Sequence, residues 1–349
     1  MTTSPSKHLG LVYLGTRGGG VHLTKQVLAE FSEGGFKIHL MLSKSNEEIE
    51  SYSDFSNLQL VKFFEFKILK FLRFKSHKKD ISAYINCLLN SACTDVLITM
   101  PHPLNLYLIR ELKKQNIRVI SIIHDLQKHP GEYWPTKTFI KKLIVESNAC
   151  LVLSKFIYNQ LSNFGEKILL ADLPSERLDV EYLRLNPIVS TPYCLFIGRI
   201  KRYKGLKQLL RAWSRLDDTP FPLVIAGDGR LPLLAKRTSN VIFLHRWLKT
   251  EEIYNLIINS EFVILPYKEA TQSGILKIAA ASNKPCLVTP VGALADYQEF
   301  GFPTIQTKSA SSNSICQGLK LAMDGDWVVE ENRNKPESIY PVILNYLSY

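Results

Sequence analysis

Several things are scarce in this sequence of 349 residues, and each scarcity removes a class of protein. No run approaches the ~18 consecutive apolar residues of a membrane span, because Lys, Arg, Asp or Glu interrupts every hydrophobic stretch. The first residues, 1–8, are polar and hold no apolar core of a secretory signal, so a cytoplasmic protein is expected. Only six cysteines occur (Cys87, Cys93, Cys150, Cys194, Cys286, Cys316), and none forms a Cys-x-x-Cys pair. Buried reduced thiols are the expectation, in place of a disulfide framework or a metal site. Acid is also short, with 32 Asp and Glu against 43 Lys and Arg, a formal net charge of +11. Nucleic acid, an anionic membrane surface and a phosphorylated small molecule would each answer that excess, so charge alone restricts the partner to something anionic.

What is present is a globular composition, 46% hydrophobic and 21% charged, too apolar for disorder and too evenly mixed for a coiled coil. At roughly 150 residues per domain, the length gives about two domains. Short β-branched and aliphatic runs occupy 9–14, 36–42, 58–61, 95–99, 117–123, 149–153 and 167–170, then 193–197, 221–226, 240–244, 261–265 and 285–289. Helical spacing separates them, as in Leu206, Leu209, Leu210 and Trp213, which make one apolar face. Continuous apolar strands alternating with helices imply α/β architecture with two parallel sheets, each covered on both faces. The stretch 173–192 lacks a strong period and carries Pro174, Pro187 and Pro192. A linker there divides an N-terminal domain, 1–180, from a C-terminal one, 181–337. In such sheets ligands bind outside the carboxyl ends of the strands, so the cleft between the two domains is the expected site.

The motifs fall where that rule places them. The first strand runs into Gly15-Thr-Arg-Gly18-Gly19-Gly20 and a helical segment. Such glycines either bring backbone N–H groups to a phosphate or simply make a tight strand-to-helix turn. No Gly-Lys-Ser/Thr follows, and the second strand ends in Ser43-Lys44 where a dinucleotide domain has a ribose-binding acid. After 117–123 comes His124-Asp125, then Lys128-His129-Pro130-Gly131-Glu132, more titratable groups than a connector needs. His124 is read as facing substrate, against the alternative of a histidine that satisfies loop backbone. Gly198-Arg199 and Lys204-Gly205 follow the strand 193–197, a pair suited to a diphosphate through Arg's fork and Lys's point charge. Ala226-Gly227-Asp228-Gly229 makes another tight turn. Pro266-Tyr267-x-Glu269-x3-Ser273-Gly274 leads into a helix whose first N–H groups would accept an anion, with Glu269 beside it for hydroxyl groups.

Taken in order, with Pro285-x3-Thr289-x2-Gly292 closing the series, these motifs resemble the carboxy-terminal half of family 4 glycosyltransferases. The likeness spans roughly 9–292, specific in the second half and looser in the first. It implies the GT-B fold, two Rossmann-like parallel-sheet domains facing each other across a cleft, with the last helix, about 338–349, returning to the first domain. It implies a retaining enzyme that uses a nucleotide sugar, with no cofactor and no metal. By the same resemblance Arg199 and Lys204 hold the donor diphosphate, Glu269 contacts the donor sugar, and His124 reaches that sugar from the other domain. Gly18, Gly19, Gly20 and Gly227 would let the ligand approach the backbone, and Ser273, Gly274 and Ile275 would hold the donor from a helix N-terminus. One position departs: Lys277 stands where the family has the second glutamate of Glu-x7-Glu, and an ammonium donates hydrogen bonds but accepts none. Ribose binding is then rearranged, or Lys277 faces a phosphate.

The densest basic stretch is 62–79, with seven cations against one acid, interleaved with Phe63, Phe64, Phe66, Phe71 and Phe74. Lysines on a solvated face over core aromatics are one reading. A surface element docked on an anionic leaflet through Lys67, Lys70, Arg73 and Lys75 is another, placing the enzyme beside a lipid-linked saccharide acceptor in surface polysaccharide or glycolipid assembly. Single-stranded nucleic acid is the least favoured partner. Two rival functions stand beside the transferase: a non-catalytic subunit binding a nucleotide sugar or membrane, which Lys277 keeps open, and a dinucleotide oxidoreductase, which the missing ribose acid disfavours.

Overall fold

The computed structural model describes residues 7–52, 55, 58–63, 74–126, 128, 134–173, 186–295, 301–329 and 337–348. The chain divides into two compact units. The first takes Met1–Lys128, Tyr133–Pro174 and Glu337–Tyr349, and the second spans Ser175–Pro336.

The first unit is built on a parallel sheet of seven strands: β1 (Lys7–Tyr13), β2 (Phe36–Ser43), β3 (Leu58–Phe63), β4 (Asp95–Ile98), β5 (Arg118–Ile123), β6 (Ala149–Val152) and β7 (Ile168–Leu170). They lie in the order β3-β2-β1-β4-β5-β6-β7, so the winding reverses between β1 and β4. Helices α1 (Gly19–Glu33), α2 (Phe74–Asn90), α3 (Asn105–Lys113), α4 (Lys137–Glu146) and α5 (Lys155–Gln160) connect them. Alternation along each strand feeds two cores, one per sheet face: Leu9, Leu11, Ile120 and Ile122 enter one, and Val12, Val119 and Ile123 the other. That two-sided burial is why these strands read as continuous apolar runs.

The second unit repeats the plan with β8 (Cys194–Ile197), β9 (Leu223–Ala226), β10 (Val241–Leu244), β11 (Phe262–Leu265), β12 (Cys286–Val288) and β13 (Thr304–Gln306). Their order is β10-β9-β8-β11-β12-β13, all parallel, with the reversal between β8 and β11. Its helices are α6 (Leu206–Trp213), α7 (Thr250–Ile258), α8 (Gly274–Ala281) and α9 (Ser312–Asp324). The apolar face read in the sequence is buried, with Leu206, Leu209, Leu210 and Trp213 all in one core. The two parallel-sheet α/β units are those expected. The strand β13 has no counterpart among the predicted strands.

The final helix, α10 (Ile339–Leu347), lies on the first unit. Ile339 and Ile343 are fully buried in the core beneath α1, and the Tyr340 ring stands 4.9 Å from Phe31, edge to face. The Tyr340 backbone N–H donates to Glu30 Oε2 at 3.1 Å, and Asp172 N–H donates to the Glu337 carbonyl at 2.7 Å. No helix among the described residues is long and apolar enough to cross a membrane.

Candidate active site

Each reversal of strand order opens a crevice at the carboxyl ends of two neighbouring strands, where their loops part to opposite faces of the sheet. In the second unit those two loops are residues 198–205 after β8 and 266–273 after β11, and they carry Arg199, Lys204 and Glu269. In the first unit the loop after β1 carries Gly18, Gly19 and Gly20, and the loop after β5, next to β4, opens with His124.

Backbone contacts lock the second unit's two loops together. Gly205 has φ +74° and its α-carbon faces the Pro266 carbonyl so closely that a Cβ there would stand 1.6 Å from the oxygen. The Lys268 N–H donates to the Tyr203 carbonyl at 2.7 Å. On the other flank, Thr289 Oγ1 donates to the Tyr267 carbonyl at 2.6 Å and Ala293 N–H donates to the Ala270 carbonyl at 2.9 Å. Gly227 likewise meets Gly198, where a Cβ would stand 2.0 Å from the carbonyl oxygen, and Ile200 N–H donates to the Asp228 carbonyl at 2.7 Å. The motif glycines and Thr289 thus hold one rigid surface from four loops, which is what a site that fixes a ligand requires.

On that surface Arg199 and Glu269 are exposed and Lys204 is half-buried. The Lys204 ammonium stands 3.7 Å from the centroid of the Tyr267 ring, with the Tyr203 ring at 5.4 Å. Ser273 caps α8, its hydroxyl accepting from Leu276 N–H at 3.3 Å, and Gly274 beyond it is exposed. Cap and macrodipole leave partial positive charge at this helix end. Ile275 is half-buried and packs on the core, and Lys277 is buried, 5% exposed, one turn inside α8.

In the first unit His124 is buried, and its Nε2 lies 2.7 Å from the Thr99 carbonyl. A carbonyl only accepts, so Nε2 carries the proton. The Thr99 hydroxyl is 2.8 Å from that of Thr24, which donates to the Gly20 carbonyl at 2.7 Å. Threonines 24 and 99, which the sequence reading passed over, therefore tie the His124 loop to the glycine loop. Gly18 and Gly19 face open space, whereas Gly20 is buried against the Tyr13 ring. His129, Gly131 and Glu132, and the membrane candidates Lys67, Lys70 and Arg73, lie outside the described residues. Lys75 falls in the first turn of α2, its side chain not described. Among the described residues no cluster of three His, Cys, Asp or Glu is placed to hold a metal ion.

Residues 191–320 match the family model described as glycosyl transferases group 1. The second unit thus carries a glycosyl transferases group 1 domain, and the chain has the GT-B fold. Solved structures share that fold over nearly the whole of the chain. A glycosyltransferase from Rickettsia africae is similar at 15% identity and TM-score 0.68, covering 92% of this chain and 89% of its own. Anabaena HepE, in complex with UDP and glucose, gives 11% identity and TM-score 0.70, over 92% of this chain and 91% of its own. The lipopolysaccharide outer core galactosyltransferase WaaB gives 16% and 0.62, over 93% and 92%. No curated protein sequence matches the chain.

Tyr267, like Thr24 and Thr99, was given no role of its own from the sequence. It stands inside the quoted Pro266-Tyr267-x-Glu269 motif, two residues before Glu269.

Proposed function

We propose that this glycosyltransferase moves a sugar, with retention and without a metal ion, from a nucleoside-diphosphate sugar to a saccharide acceptor. The observation that carries the reading is the locked pair of loops in the second unit, one carrying Arg199 and Lys204 and the other carrying Glu269 and leading into the capped N-terminus of α8. Negative charge grows on the departing diphosphate as the glycosidic bond breaks, and fixed cations at that place lower the barrier selectively. Glu269, exposed on the adjoining loop, accepts hydrogen bonds from donor-sugar hydroxyls. In this reading His124 also serves the donor sugar, its ring oriented through Nε2–H on the Thr99 carbonyl. Gly18, Gly19, Gly20, Gly227, Ser273, Gly274 and Ile275 bring backbone to the donor, and Lys277 alters how the ribose or a phosphate is held. The solved HepE structure with UDP and glucose, and a second GT-B structure with UDP-2-fluoro glucose, support a uridine donor as the first candidate.

The acceptor in this reading is lipid-linked, and the basic aromatic stretch 62–79 holds the first unit against an anionic leaflet at the inner face of the plasma membrane. Its cations support this, each contributing about 1 kcal/mol near such a surface.

The test is turnover of a panel of UDP-, GDP-, dTDP- and ADP-sugars. One donor is consumed by the wild type, and Arg199→Ala and Glu269→Ala each lower that rate by about 10² or more, the scale of losing one transition-state charge contact. Donor binding with no turnover, even when an acceptor extract is supplied, would establish the non-catalytic subunit instead.

A further inference from the structure

Lysine is a flexible four-carbon stem ending in a point charge, and a site that needs that charge in one place must hold the stem. An aromatic face does so through the ring quadrupole.

The structure provides such a face. The Lys204 ammonium lies 3.7 Å from the Tyr267 centroid, well inside the ~6 Å reach of a cation–π contact. Tyr267 is 1% exposed, so its ring is itself immobile. Its backbone is pinned from both sides, by Lys268 N–H on Tyr203 and by Thr289 Oγ1 on its own carbonyl. The Gly205 close approach fixes the lysine's backbone against the same strand end.

The phenol contributes nothing else that the ring would not. Its hydroxyl is buried with no hydrogen bond of normal geometry. Burial pushes it well above the ordinary tyrosine range, and the Ser273 hydroxyl nearby only moderates that shift. The group is a neutral apolar platform at any physiological pH.

We infer that Tyr267 is a positioning residue for the transfer reaction: its ring face holds the Lys204 ammonium where the donor diphosphate binds. The inference rests on the reading of Lys204 as a diphosphate ligand and adds the group that aims it.

The test is a double-mutant cycle on the full chain, with UDP binding measured by calorimetry in wild type, Tyr267→Leu, Lys204→Ala and the double variant. Loss of the ring weakens UDP roughly tenfold, equivalent to about 1.4 kcal/mol. Tyr267→Phe restores wild-type affinity to the Leu variant, because only the ring is used. In the Lys204→Ala background Tyr267→Leu costs nothing further, since the tyrosine acts through the lysine.

A Leu variant that binds as wild type does, or an equal loss with and without Lys204, overturns the inference. If Lys204→Ala itself leaves UDP binding unchanged, the underlying reading fails and the inference falls with it. Should Tyr267→Leu not fold, the wild type still decides. The Lys204 ε-methylene protons, assigned by their disappearance in Lys204→Ala, show an upfield ring-current shift if the platform exists and an ordinary lysine shift if it does not.

Discussion

A single histidine shows how burial at the carboxyl end of the first sheet governs stability. His102 accepts the Leu104 N–H through Nδ1 at 3.3 Å, a bond that exists only while that nitrogen is unprotonated. Burial first, and the neighbouring His77 on α2 second, lower its pKa from 6.5 to about 4. The unfolded chain therefore binds a proton that the folded one refuses. The stabilisation is complete above pH 6.5, falls as the pH drops toward 4, and levels off below that, with a slope of ~1.4 kcal/mol per pH unit for one proton. Urea midpoints measured across this window fall less steeply in His102→Asn than in wild type, because the Asn oxygen still receives the Leu104 N–H but takes no proton. Parallel slopes would show that His102 titrates normally.

Residue-scale chemistry was only partly legible in the sequence. The placement of Arg199, Lys204 and Glu269 after strands followed from the motifs alone, because a strand end and a loop are local facts. What Lys204 rests on, and how Thr24 and Thr99 link Gly20 to His124, depend on side chains brought together across the chain, which no spacing encodes.

At the scale of elements, twelve of the thirteen described strands were readable to within two residues, since burial on both sheet faces makes each a continuous apolar run. The exception, β13, is Thr304–Gln306, an edge strand of three residues with two polar side chains, too short and too mixed to stand out. Helix α8 begins one residue after the capping Ser273, as its sequence implied.

The element whose role rests most on composition is the stretch 62–79. Lys62 at the end of β3 and Lys78 and Lys79 on α2 are exposed, so its described ends present charge to solvent. Co-sedimentation with anionic vesicles checks the role proposed for it. Wild type pellets with vesicles rich in phosphatidylserine or phosphatidylglycerol, and a variant neutral at Lys67, Lys70, Arg73 and Lys75 loses roughly a thousandfold in affinity, given ~1 kcal/mol per cation. Equal pelleting of the two would leave the lysines as a solvated face.

Across the whole molecule the excess of base is shared. Residues 1–180 carry 23 Lys and Arg against 17 Asp and Glu, and residues 181–349 carry 20 against 15. Neither half is a neutral scaffold for a charged partner domain. The fold alone does not choose the chemistry, because one architecture hosts many activities. The choice falls to the second unit's loops and their cations.

Calorimetric titration of the full chain with UDP, GDP, dTDP and ADP tests that most directly. One nucleoside diphosphate is expected to bind, and Arg199→Ala and Lys204→Ala each to weaken it by roughly tenfold or more, the loss expected for one charge-assisted hydrogen bond at ~1.5–3 kcal/mol. Binding that both variants leave intact, or no binding of any of the four by the wild type, would contradict it.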